Sequence, residues 1–117
     1  MGDTLVTGVD LVYLPRFKEA LKKGGQQFLH RVFHEGELTN KEVPHLAGIF
    51  AAKEAIIKAL SLPVDSFHDI KVINKPSGGP TIEIRSTKLA DEIRNCSVSI
   101  SHDGDYVVAQ FVALVKI

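Results

Sequence analysis

Pro44-His-Leu-Ala-Gly-Ile-Phe-Ala-Ala-Lys-Glu-Ala-Ile-Ile-Lys-Ala-Leu60 reads as a helix by every local criterion, and the rest of the chain is best understood around it. Its apolar residues Leu46, Ile49, Phe50, Ala52, Ile56, Ile57 and Leu60 recur at three- and four-residue spacings. That pattern predicts an amphipathic helix of about four to five turns. Pro44 suits a first turn, where a missing amide costs nothing, and Pro63 forbids continuation. On the N-terminal side, Thr4 to Leu14 is β-branched and apolar and predicts a buried strand. Pro15 then opens a helix over Arg16 to Lys23, which Gly24-Gly25 stops. A second short helix is expected over Gln26 to Val32, with a further turn near His34 that holds Glu35 and Glu37.

On the C-terminal side, Ile70 to Asn74 and Thr81 to Arg85 are two strands of a hairpin, joined through the turn Pro76-Ser-Gly-Gly-Pro80. Ser86 is a fair N-cap for a helix over Thr87 to Arg94. Ser97 to His102 alternates as a strand, Asp103-Gly104 is a tight-turn signal, and Tyr106 to Val115 is a long closing strand. The order β-α-α-α-β-β-α-β-β predicts an α+β fold: a mainly antiparallel sheet with one long helix and short N-terminal helices. No repeat, linker or composition break divides residues 1–117, so one domain is expected.

Composition narrows the function. The 117 residues are 44% hydrophobic, and 14 Lys plus Arg balance 14 Asp plus Glu. A disordered chain is excluded, and nothing global points to nucleic acid. No apolar run approaches the ~20 residues of a membrane-spanning helix, and no secretory leader is visible. The single cysteine, Cys96, permits no internal disulfide, which predicts a cytoplasmic location. Charge is nevertheless uneven. Between Pro15 and Arg31 stand Arg16, Lys18, Lys22, Lys23 and Arg31 against Glu19 alone. A basic patch on a neutral protein suits a local acidic partner, although a merely solvated face would look the same.

Some polar residues stand where the pattern wants apolar ones. Asp10 interrupts an apolar strand, and a carboxylate there must be exposed, paired or metal-bound. Glu54 and Lys58 lie four apart on the long helix, the spacing of an ordinary surface ion pair. Lys53 lies on an adjacent face. His102 ends a strand beside Ser101, just before the Asp103-Gly104 turn, where a solvated ring is the plain expectation. The other histidines make no metal-ligand spacing, and Cys96 has no partner for a zinc or redox site.

Taken together, three segments resemble the signatures of the holo-[acyl-carrier-protein] synthases, the short trimeric type of the 4'-phosphopantetheinyl transferase superfamily. They are Thr-Gly-Val-Asp-Leu-Val (7–12), Ala-Gly-Ile-Phe-Ala-Ala-Lys-Glu-Ala-Ile-Ile-Lys-Ala-Leu (47–60) and Val-Ser-Ile-Ser-His-Asp-Gly-Asp-Tyr (98–106). Asp69-Ile-Lys-Val72 and Gly78-Gly-Pro80 resemble the intervening hairpin. The resemblance spans nearly the whole chain. It implies magnesium-dependent transfer of 4'-phosphopantetheine from coenzyme A to a serine of apo-acyl carrier protein, releasing adenosine 3',5'-bisphosphate. It also implies a homotrimer with active sites between subunits.

Residue by residue, the resemblance implies Asp10 and Glu54 as magnesium carboxylates and Lys58 as a catalytic lysine near the phosphates. Pro80, Ser101 and His102, with Lys58, would bind coenzyme A. Arg16, Arg31 and Phe50 would face the carrier protein, whose acidity the basic patch complements. Departures are evident. Ile49 stands where the family usually has Arg, and Ser61-Leu62-Pro63 where it has Gly-Thr-Gly. Tyr13 replaces a Glu, Gly79 a Lys, and the Thr39 to Leu46 connection is short. Two other readings stay open at this level. One is a non-catalytic carrier-protein or nucleotide-binding module that retains the fold, and the other is a generic magnesium phosphohydrolase.

Overall fold

The computed structural model describes residues 2–117. Strand β1 (Asp3–Tyr13) runs into helix α1 (Leu14–Val32), then a 3-10 turn at Glu35–Leu38 and helix α2 (Val43–Leu60). A second 3-10 turn at Ser66–Asp69 leads into strands β2 (Ile70–Asn74) and β3 (Pro80–Ile84). Helix α3 (Thr87–Glu92) and strands β4 (Ile93–Asp103) and β5 (Tyr106–Lys116) complete the described chain. Every strand pairing is antiparallel. One sheet has the order β1-β5-β4, and β2-β3 forms a separate two-stranded ribbon. The architecture is therefore the α+β class that the element order predicts.

Helix α2 differs from the amphipathic expectation. Eleven of its residues are buried, from Leu46 around to Ala59, while Lys58 is exposed and Glu54 and Phe50 are half-buried. A helix apolar on nearly all sides belongs at the centre of a fold. Its small residues explain how it fits there. Ala51, Ala52 and Ala55 are fully buried, and strand β1 packs directly on the helix backbone. At Gly8 a Cβ would lie 2.0 Å from the Ala55 carbonyl oxygen, so only glycine allows this approach.

Strand β1 is buried on one face only, not on both. Gly8 and Asp10 pair with Phe111 and Ala109, and with Val6 and Val12 they face α2. Leu5, Val9, Leu11 and Tyr13 alternate onto the opposite face, where Leu5 is 71% and Leu11 63% exposed. The outer face of this sheet thus carries apolar side chains with no element over it.

Gly24-Gly25 interrupts α1 as expected: Gly25 takes φ 52° and ψ −139°, and a second helical stretch follows to Val32. Other boundaries move for identifiable reasons. The helix after Ser86, whose hydroxyl accepts from the Leu89 amide, ends at Glu92 and not Arg94. Strand β4 begins at Ile93, before the expected Ser97, because Ile93 already pairs with Val115 across an irregularity before Asn95. At the end of α2, Ser61 adopts the left-handed conformation (φ 53°, ψ 43°), and the Leu62 amide donates to the Ile57 carbonyl. This is a Schellman-type stop made without the usual glycine.

One polar cluster lies wholly inside the core. The Lys53 ammonium donates to Glu37 Oε1 at 2.7 Å and to the Val32 carbonyl at 2.7 Å. Glu37 also accepts from the amides of His34 (2.8 Å) and Val72 (2.7 Å). Both side chains are 0% exposed. The pair ties the end of α1, the first 3-10 turn and β2 to α2. Burial lowers the Lys53 pKa, against the opposing pull of Glu37.

Candidate active site

The close approach at Gly8 sets the geometry of the conspicuous polar residues. Two residues along β1, Asp10 points to the same side as Gly8 and reaches α2. Its Oδ1 accepts from Lys58 Nζ at 2.8 Å, and the same ammonium donates to the Val9 carbonyl at 3.1 Å. Lys58 therefore pairs with the strand; no ion pair with Glu54 forms, despite the i,i+4 spacing. Glu54 lies beside them. Its pKa is raised, first by burial and second by the Asp10 carboxylate, with Lys58 pulling the other way.

Asp10 and Glu54 share the wall of a groove of about 290 Å³ with Arg16, Phe17, Phe28 and Phe50. Aromatic rings line its floor: Phe50 lies 5.4 Å from Phe17 and 6.0 Å from Phe28, centroid to centroid. Arg16 stands over the Tyr13 ring and Arg31 over Phe28, both from the solvent side. Of the three residues expected to face an acidic partner, Arg16 and Phe50 line this groove, and Arg31 adjoins it through the Phe28 ring. Phe17 and Phe28 join this group only in space. Nothing local in the sequence joins them, because the break at Gly25 lies between them.

His102 and Pro80 lie elsewhere. They line a larger cavity of about 610 Å³, together with Gly48, Ile49 and the β2 residue Lys71. His102 Nε2 is 3.2 Å from the Pro44 carbonyl oxygen at the start of α2. Residues advance about 100° around a helix, so Gly48 and Ile49 occupy the flank of α2 opposite Phe50 and Glu54. Ser101 is separate again: it alternates onto the outer sheet face and is exposed. A single chain therefore brings together Asp10, Glu54, Lys58, Arg16 and Phe50, but not these with Pro80, Ser101 and His102. Among the described residues, no three His, Cys, Asp or Glu side chains converge as a metal site. No helix is long and apolar enough to cross a membrane.

Comparison with known proteins gives this geometry a context. The family model of the 4'-phosphopantetheinyl transferase superfamily matches residues 7–111. The holo-[acyl-carrier-protein] synthase of Dehalococcoides mccartyi is 41% identical over 116 residues, covering 93% of this chain and 98% of that relative. The corresponding protein of Gloeobacter violaceus is 42% identical over 116 residues, covering 87% and 86%. The crystal structure of the Helicobacter pylori holo-[acyl-carrier-protein] synthase in complex with coenzyme A superposes with a TM-score of 0.83 at 33% identity, over 92% of this chain and 98% of that one. The chain belongs to the 4'-phosphopantetheinyl transferase superfamily. Within that class it is an enzyme of the holo-[acyl-carrier-protein] synthase type.

Proposed function

We propose that residues 1–117 act as one transferase domain in the cytoplasm, moving 4'-phosphopantetheine from coenzyme A to a serine of apo-acyl carrier protein. The serine oxygen attacks the β-phosphorus of the coenzyme A diphosphate. A new P–O bond forms to the serine, and the bond to the α-phosphate side breaks. Adenosine 3',5'-bisphosphate leaves, and the serine proton is released. The observation that carries this reading is the Asp10–Lys58 contact beside the half-buried Glu54, at the mouth of an aromatic groove flanked by arginine.

The donor set fits magnesium. Asp10 and Glu54 offer hard oxygens, and the upward push of Asp10 on the Glu54 pKa marks a site where a cation would be welcome. Two carboxylates suffice for an ion that keeps phosphate and water ligands. When bound, magnesium would neutralise charge developing on the diphosphate. Lys58 holds Asp10 in place and, more than half exposed, can turn its ammonium toward the leaving phosphate. Arg16, Arg31 and Phe50 would receive the acidic carrier protein.

The placement of Glu54 and of the His102 cavity on opposite flanks of α2 supports a site shared between copies. If the groove of one copy meets the His102–Pro80 cavity of the next, the contact is heterologous, and such a contact makes a ring when the rotation between copies closes. The uncovered apolar face of the β1-β5-β4 sheet supports the same arrangement, and a homotrimer is the ring we propose. Ser101, on that face, would then reach a neighbour's ligand.

Intact-mass spectrometry of an apo-carrier protein, after incubation with coenzyme A and magnesium, tests the reading. A gain of one phosphopantetheine is expected, and none with chelator present. Asp10→Ala and Glu54→Ala should each slow transfer about a hundredfold or more. Full activity in both would sink the site assignment.

A further inference from the structure

We propose that Lys71 is the residue by which this enzyme recognises the 3'-phosphate of coenzyme A, and so distinguishes coenzyme A from its dephosphorylated form. The inference rests on the transferase reading and deepens it. In that reading, the diphosphate lies at Asp10, Glu54 and Lys58, because bond breaking occurs there. The nucleoside end then belongs in the roomier cavity of about 610 Å³, on the His102 side of the adjoining copy. Beyond the diphosphate, the only remaining charge on the ligand is the 3'-phosphate. A dianion there needs a cation.

The cavity provides one. Among the described residues Glu37 is the only acid lining it, and Glu37 is already neutralised by Lys53 inside the core. Lys71, half-buried on β2, has no carboxylate within ion-pairing distance among the described residues. Its cross-strand neighbour Glu83 is engaged by Arg85 at 3.3 Å. The Lys71 side chain lies over Gly36, where a Cβ would come within 3.3 Å of its Nζ. The glycine therefore leaves room for the lysine to lie along the cavity wall. His45 and His102 stand on the same wall and can add donors. Ile49, also in this wall, offers no charge, which leaves Lys71 as its sole lysine or arginine among the described residues.

Calorimetric titration with adenosine 3',5'-bisphosphate and with adenosine 5'-monophosphate isolates the phosphate in question. The wild type should bind the bisphosphate at least tenfold more tightly. Lys71→Gln should lose most of that ratio through weaker bisphosphate binding alone, and Lys71→Arg should keep it. An unchanged ratio in Lys71→Gln, or no preference in the wild type, overturns the assignment. The mass-spectrometric transfer assay, run on the wild type alone, reports separately on the transferase reading. A wild type that binds the bisphosphate selectively yet transfers nothing would undo that reading while leaving the role of Lys71 in anion recognition standing.

Discussion

Helix α2 carries two lysines five residues apart, each bonded to a carboxylate from a distant part of the chain. Their environments are opposite. Lys53 and Glu37 are 0% exposed and have every partner supplied by the protein. Lys58 is 54% exposed and Asp10 15%, and Asp10 is left beside a second carboxylate, Glu54. The same ion pair thus serves two ends. In the core it locks three segments to a helix, with both side chains withdrawn from solvent. At the groove it holds a carboxylate while leaving charge unsatisfied, which is the condition a metal and a phosphate require. Burial, not residue type, separates the two.

Breaking the buried pair should produce the largest effect. Lys53→Met strands the Glu37 carboxylate and should cost about 3–5 kcal/mol of stability, measured by urea denaturation. A cost below ~1 kcal/mol would show the pair is not the internal tie described here. At the groove the balance reverses. Lys58→Gln should change stability by no more than about 1 kcal/mol, because exposed pairs contribute little. Its transfer rate should nevertheless fall by at least tenfold, read by steady-state labelling of the carrier protein. Equal damage to stability and rate would erase the contrast between the two lysines.

The smallest effect concerns pH. His34, whose amide donates to Glu37 Oε1, has its ring pKa lowered first by burial and second by the nearby Lys53; Glu37 opposes the shift, while His68 and Arg85 add to it. In the unfolded chain the imidazole takes up its proton near pH 6.5, and in the folded chain only at lower pH. Stability from this group is therefore complete above about pH 6.5 and declines as pH falls through the lowered folded value. His34→Gln should flatten the dependence of Tm on pH between about 7 and 5. An unchanged slope would assign the acid sensitivity to other groups.

Much of this molecule was legible beforehand, and the reasons are local. Pro44, the apolar run to Leu60 and Pro63 delimit α2 because proline and periodicity act within a few residues. Asp10 stood out because a carboxylate in an apolar strand needs an explanation wherever the strand goes. Glu37 and Lys53 did not stand out. Their meaning depends on complete burial and on a meeting between segments 16 residues apart. Likewise, the i,i+4 spacing of Glu54 and Lys58 suggested a pair, and the structure gave Lys58 to Asp10 because Gly8 lets β1 come closer than a side chain would allow.

By itself, then, the sequence determined the α+β element order, the neutral overall charge with one basic stretch, and the family signatures around Asp10, Glu54, Lys58 and His102. Only the tertiary structure decided which ion pair is core and which belongs to the groove. It also placed Pro80 and His102 on the flank of α2 away from Glu54, and Lys71 beside them. Those outcomes depend on burial and on the approach of distant segments, and neither is a property of any local stretch of chain.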